Sequence, residues 1–145
     1  MAYDSNNVFA RILRGELPCH RVYEDADTVA FMDVMPQSPG HTLIIPKQAG
    51  ENLMDTSVAS LQAAILTTQR VARAVQRAFS AKGVIVTQFN GAAAGQTVFH
   101  LHFHVIPVYG PGGIGHHARE FADSAVLAEH AEQVRAALVS LESSP

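Results

Sequence analysis

The run Phe99-His100-Leu101-His102-Phe103-His104-Val105-Ile106-Pro107 constrains this chain more than any other stretch. Histidine and bulky apolar residues alternate through it, and period-two alternation predicts a β-strand. On a strand, His100, His102 and His104 share one face, about 7 Å apart. Leu101, Phe103 and Val105 then face a core. Each imidazole brings two nitrogens that need partners, so three in register make poor packing material. They make good material for chemistry near neutral pH.

Four readings of the row compete. Incidental histidines on a structural strand are disfavoured by their number and register, with His41 a further histidine elsewhere. A metal site draws on His-X-His as a ligand pair, with His41, His116 or His117 as the third ligand. Three positions along one strand span about 13 Å, however, too far to converge on one ion. No carboxylate lies inside the row. General acid–base work is the third reading. The fourth is nucleophilic attack at phosphorus, since a neutral imidazole can carry a covalent intermediate. The lead-in Gly95-Gln96-Thr97 puts small and polar groups beside the row, suited to stabilising phosphoryl oxygens.

The 145 residues fit one domain, and 48% apolar with 16% charged residues predicts a globular chain. A net charge of −3 gives no support for sequence-independent nucleic-acid binding. The lone Cys19 cannot form an internal disulfide, and the N-terminus is neither basic nor apolar, as a secretory signal would be. No apolar run approaches the roughly 20 residues of a membrane span. A soluble, cytoplasmic protein without membrane contact is expected.

In chain order, Asn7 and its polar neighbours precede a short helix carrying Val8, Phe9, Ile12 and Leu13, closed by Gly15. Strands are predicted over residues 19–24 and 28–32, around a turn at Asp25-Ala26-Asp27, and over 41–46, the last buried on both faces. Asp55-Thr56-Ser57 caps the longest helix, whose buried stripe is read as Val58, Leu61, Ile65, Ala72, Val75 and Phe79. Its Arg70, Arg73 and Arg77 read as a solvated face. A fourth strand covers 84–89. A glycine-rich loop follows Tyr109, and a final helix runs from about Arg119 to Leu141.

Taken with the triad, more of the chain becomes recognisable. Gln96-Thr97-Val98-Phe99-His100-Leu101-His102-Phe103-His104-Val105 resembles the histidine triad motif, His-X-His-X-His-X-X with apolar X. Phe9 to Pro18 is similar to that family's first helix and its Gly-Glu-Ile-Pro exit. Ala30 to Lys47 resembles the segment that carries its nucleoside pocket. The likeness runs from about Asn7 to Tyr109 and is nearest the histidine triad nucleotide-binding (Hint) branch.

The resemblance implies an α+β fold, with a five-stranded antiparallel sheet and helices; this chain adds a C-terminal helix. It implies a HIT domain over residues 1–112, with 113–145 forming a loop and helix packed on the same domain or on a dimer partner. It implies a purine-nucleotide (AMP-like) ligand and hydrolysis of nucleoside phosphoramidates such as adenylyl-lysine. Diadenosine polyphosphate hydrolysis, or binding without turnover, are the alternatives. His102 would attack phosphorus, and His104 would contact the scissile phosphate or leaving group. His100 and His41 would support them. Asn90, Gln96 and Thr97 would bind phosphate oxygens, and Asp33 the ribose hydroxyls. Val8, Phe9, Ile12, Phe31 and Val34 would wall the base pocket. No cofactor is implied. Many bacterial members carry a Cys-X-X-Cys zinc site in the first helix; Asn7 and Ala10 stand at those positions, so no metal is expected. A homodimer is.

Overall fold

The computed structural model describes residues 2–111 and 120–142. In chain order it contains α1 (Val8–Leu13), β1 (Arg21–Glu24), β2 (Thr28–Met32), β3 (Thr42–Pro46), α2 (Val58–Ala78), β4 (Gly83–Thr87), a 3-10 turn at Ala92–Ala94, β5 (Phe103–Val108) and α3 (Ser124–Glu142). The strands form one antiparallel sheet in the order β1-β2-β3-β5-β4. This is the α+β architecture expected, five strands with helices and a C-terminal helix.

β2 and β3 lie in the interior of the sheet. Both are buried at every position and pair in unbroken register from Thr28↔Pro46 to Met32↔Thr42. Continuous apolar runs suit strands covered on both faces. Alternation then assigns each residue to a layer. Ala30, Met32, Ile44 and Val105 face α2 and α3, where Val71, Val75, Leu127, Val134 and Leu138 complete one core. Val29, Phe31, Leu43 and Ile45 face α1, with Phe9 and Ile12. Helix α3 therefore packs on its own sheet.

Local chemistry sets the joints. The Asn7 side chain accepts the Ala10 N–H and caps α1; Ser57 caps α2 in the same way. Asp25 Oδ1 accepts from the N–H groups of Asp27 and Thr28, closing the β1–β2 turn. Gly40 has φ +98°, and a Cβ there would lie 2.7 Å from the Phe79 ring. Only glycine suits a site with both restrictions, and this one delivers the chain into His41 and β3.

Three expectations change. The histidine row is not one strand: β5 begins at Phe103, so only His104 of the triad lies in it. Residues 98–102 bend instead, and the Leu101 N–H is taken by Gly50 O at 2.9 Å rather than by a sheet neighbour. The rings of His102 and His104 sit 5.0 Å apart, centroid to centroid. The stripe of α2 is also different. Ala64, Thr67, Thr68, Val71, Ala74 and Val75 are buried, whereas Val58 and Ile65 are 70% and 50% exposed. Small residues let α2 approach the sheet, and its buried hydroxyls find partners: Thr67 with Thr28 at 2.7 Å, Thr68 with Ala64 O at 2.7 Å. Finally, α3 begins at Ser124, leaving Phe121 before it and exposed. Arg119, His116, His117 and most of the glycine-rich loop lie outside the described residues. No described helix is long and apolar enough to cross a membrane.

Candidate active site

The α1 face of the sheet opens into a cleft of about 360 Å³. Its apolar wall includes Val8, Phe9 and Ile12 from α1, Phe31 from β2, and Val34 just beyond it. Its polar edge is Asp33, Thr97, His102 and His104. Nine residues singled out from sequence thus meet in one cavity. Leu17, Cys19, Met35, Leu43 and Val98 also line it. Leu17 and Leu43 were visible as apolar positions, but nothing local marked them as facing a cleft.

His41 and His100 stand behind this surface, almost fully buried. Asn90 and Gln96 are held by bonds within their own loop and its neighbours. The Gln96 carboxamide accepts from Gly91 N–H and donates to both Glu51 O and Val98 O. Both its N–H donors are used in these bonds, which brace the loop. The Asn90 side chain bonds Gln88 and accepts the Leu53 N–H. Neither lines the cleft.

Backbone partners fix the proton positions in three of the four imidazoles, and the His41 side chain fixes the fourth, in His104. A carbonyl can only accept and an amide N–H can only donate. His102 Nδ1 lies 2.7 Å from His100 O, so Nδ1 carries the proton and Nε2 keeps a lone pair. His100 Nε2 lies 2.8 Å from Pro46 O, so it carries the proton and Nδ1 accepts, from the Tyr3 hydroxyl at 2.5 Å. His41 Nδ1 accepts from the Gln37 N–H at 3.0 Å, so its proton is on Nε2. That proton faces His104 Nδ1 at 3.0 Å and Asp33 Oδ2 at 3.4 Å. His104 Nδ1 is then an acceptor, and Nε2 is its donor.

Electrostatics agree with this assignment. Burial is the largest influence on every one of these rings, and it opposes the charged form. His41 is pushed down to about 3, helped by the neighbouring His104 and His102. Burial pushes His104 down to about 4, with His102 adding to it. His102 and His100 are lowered by burial too, against the opposing pull of their carbonyl partners. Burial raises Asp33 to about 6, although the Met35 N–H bond favours its carboxylate. At neutral pH the site therefore holds neutral imidazoles beside a carboxylate.

Asp33, His41 and His104 bring ligand atoms within 4.8 Å of one another, a spacing a divalent cation could use. The tautomer opposes it. His41 Nε2 meets the cluster with a proton and not a lone pair, because Gln37 N–H occupies Nδ1. The zinc site of the first helix fares no better. Asn7 and Ala10 supply no thiolate, and the Asn7 amide is engaged with Ala10 N and Asp4 O.

Comparison with known proteins gives the chain its family. The HIT domain family matches residues 14–110. A crystal structure of a Hit-like protein involved in cell-cycle regulation from Bartonella henselae, with an unknown ligand, is 49% identical. It superimposes with a TM-score of 0.89, over 94% of this chain and 99% of that one. A zinc-bound histidine triad family protein from Mycobacterium smegmatis is 34% identical, with a TM-score of 0.85 over 95% and 96% of the two chains. Adenylylsulfatase HINT3 of Arabidopsis thaliana is 39% identical over 100 residues, which are 69% of this chain and 51% of that longer protein. The chain belongs to the HIT domain family, on its Hint-like branch.

Proposed function

We propose that this protein binds a purine nucleotide in the cleft and hydrolyses nucleoside phosphoramidates of the adenylyl-lysine type, through a nucleotidyl-histidine intermediate on His102. The observation that carries this reading is the free lone pair on His102 Nε2. It is held toward the cleft because Nδ1 is tied to the His100 carbonyl. The adenylylsulfatase name of the Arabidopsis relative supports chemistry at a nucleotide phosphorus.

The steps follow from the tautomers. His102 Nε2 attacks the α-phosphorus, and the P–N bond breaks. His104 Nε2–H, oriented by the His41 contact at Nδ1, hydrogen-bonds the leaving nitrogen, which takes a proton from solvent water as the P–N bond breaks and departs as the amine. Water then attacks the phosphorus of the nucleotidyl-histidine; the P–Nε2 bond breaks, the water's proton returns to solvent, and the nucleoside monophosphate leaves a neutral His102 behind. Thr97 and Asp33 both line the cleft; in this reading the Thr97 hydroxyl serves the phosphoryl oxygens, and the Asp33 carboxylate accepts ribose O–H donors. Apolar walls on α1 and at Phe31 and Val34 take up the base by shape and stacking.

The protein acts as a homodimer. α2 exposes Val58, Ile65 and Leu66, the last by 61%, and β4 leaves a sheet edge with Val86 half out. An uncovered apolar face next to a sheet edge suits a second copy. Light scattering should give twice the chain mass, and I65E should halve it; a monomeric wild type would exclude the dimer. The activity itself is tested by assaying a panel of nucleoside phosphoramidates beside dinucleoside polyphosphates. Release of AMP and free lysine from adenylyl-lysine, faster than cleavage of diadenosine polyphosphates, supports the reading. The reverse order favours a polyphosphate hydrolase.

A further inference from the structure

We propose that Tyr3 is a positioning residue for the nucleophile: its hydroxyl clasps the back of His100 and thereby holds the carbonyl that orients His102. This rests on the reading of His102 as the attacking group.

The segment carrying the nucleophile lacks ladder support. Residues 98–102 lie outside every strand, while β5 starts one residue later. What holds the segment is a small set of individual bonds, most of them to distant parts of the chain. Leu101 N–H reaches Gly50 O, and His100 Nε2–H reaches Pro46 O. Gln96 donates to Val98 O. The remaining tie is Tyr3, which comes from the segment ahead of α1 and lies 97 positions from its partner.

His100 is 0% exposed and makes three polar contacts that point three ways. One ring nitrogen anchors to β3 through Pro46, the other accepts from Tyr3, and the backbone oxygen accepts from His102. The Tyr3 and His100 rings also meet edge-on at 5.7 Å. Removing the hydroxyl takes the partner from an acceptor on a fully buried ring, and such a group is costly to leave unpaired. The least expensive response is a turn of the ring, or its re-protonation at Nδ1. Either one disturbs the His100 backbone, and with it the Nδ1–H···O bond that keeps His102 Nε2 open. Tyr3 touches no part of the cleft. Its effect must reach the chemistry through His100, so it is felt in turnover and not in ligand affinity.

The N-terminal segment gains a second role from this clasp. Asn7, at the end of the same segment, caps α1, and α1 walls the cleft. One short stretch thus fixes the front wall and the rear of the nucleophile.

The test is Tyr3→Phe, which keeps the ring contact and deletes the hydroxyl. With adenylyl-lysine as substrate, kcat should fall roughly five- to tenfold, the size of one hydrogen bond's worth of positioning. KM and AMP affinity should stay within about twofold of wild type. Nitrogen-15 NMR of the imidazoles gives a readout that needs no turnover. In wild type, the Tyr3 hydroxyl proton should be protected from exchange and show a cross-peak to the His100 ring. His102 should be a single Nδ1–H tautomer in wild type and a mixture in the variant. Unchanged kcat together with an unchanged His102 tautomer overturns the clasp, as does a rapidly exchanging Tyr3 hydroxyl in wild type. If no phosphoramidate is turned over by wild type, the assigned reaction fails, and the NMR signatures still decide whether Tyr3 orients His102.

Discussion

The β2–β3 pair and the segment 90–102 lie side by side and are held by different means. β2 and β3 are buried at every position and share a continuous ladder, so each residue is supported by neighbours on both sides and both faces. The 90–102 segment has one 3-10 turn and no ladder, and its conformation depends on individual bonds from Gln96, Leu101 and His100 to distant carbonyls. The first region gives the cleft a rigid floor. The second presents His102 to the cleft from outside any strand. Damage to the first should appear as lost stability, and damage to the second as lost turnover.

The largest effect expected is in the second region. His102→Ala should lower kcat by about a thousandfold or more, as removal of a nucleophile does, while AMP still binds within a fewfold of wild type. Equal loss of AMP binding would mean that the ring holds the ligand rather than attacking it. The matching test of the first region is Ile44→Ala, at a site 0% exposed in the middle of β3. It should cost about 2–5 kcal/mol in denaturant unfolding. Its kcat, measured where the protein remains folded, should stay near wild type. A variant with intact stability and poor kcat would erase the contrast between the regions.

Asp33 sits where the two regions meet, and pH separates their contributions. Its carboxyl is raised to about 6, so it is ionised above that value and protonated below it. His104 and His41, lowered to about 4 and about 3, stay neutral through the same interval. As pH falls from 7.5 to 5.5, KM should rise while kcat persists through the ordinary histidine range near 6.5. Asp33→Asn should raise KM about tenfold and flatten that rise. A kcat that collapses near 6.5 would contradict the neutral, buried imidazoles.

Gln96→Ala removes three bonds from the loop and should lower kcat about tenfold with a smaller change in KM. Asn7→Ala is expected to do least. Loss of the α1 cap costs about 1 kcal/mol by thermal or denaturant unfolding, and kcat should be unchanged.

The same division governs what was legible in the amino-acid sequence. Thr28–Met32 and Thr42–Pro46 announce themselves as strands, because continuous apolar runs are what a sheet covered on both faces requires. Asp25, Asn7 and Ser57 carried their turn and caps in local chemistry. The histidine alternation marked residues that line or back the cleft but suggested the wrong backbone. Nothing within residues 98–102 foretells that Leu101 N–H will pair with Gly50 O, or that Tyr3 will reach His100. In α2 the bulky Val58 and Ile65 outweighed Ala64 and Val71 in the pattern, although a helix lying close on a sheet favours small side chains. Gln96 and Asn90 have side chains suited to phosphate, yet both are held by loop bonds that only the folded chain creates.

The most direct measurement is to mix the protein with adenylyl-lysine, quench in the time of a single turnover, and map the adduct by peptide mass spectrometry. The account predicts one adenylyl group on the peptide bearing His102, absent from His102→Ala. Product formed at full rate with no adduct at any time, or an adduct on His104 or His100 instead, would contradict it.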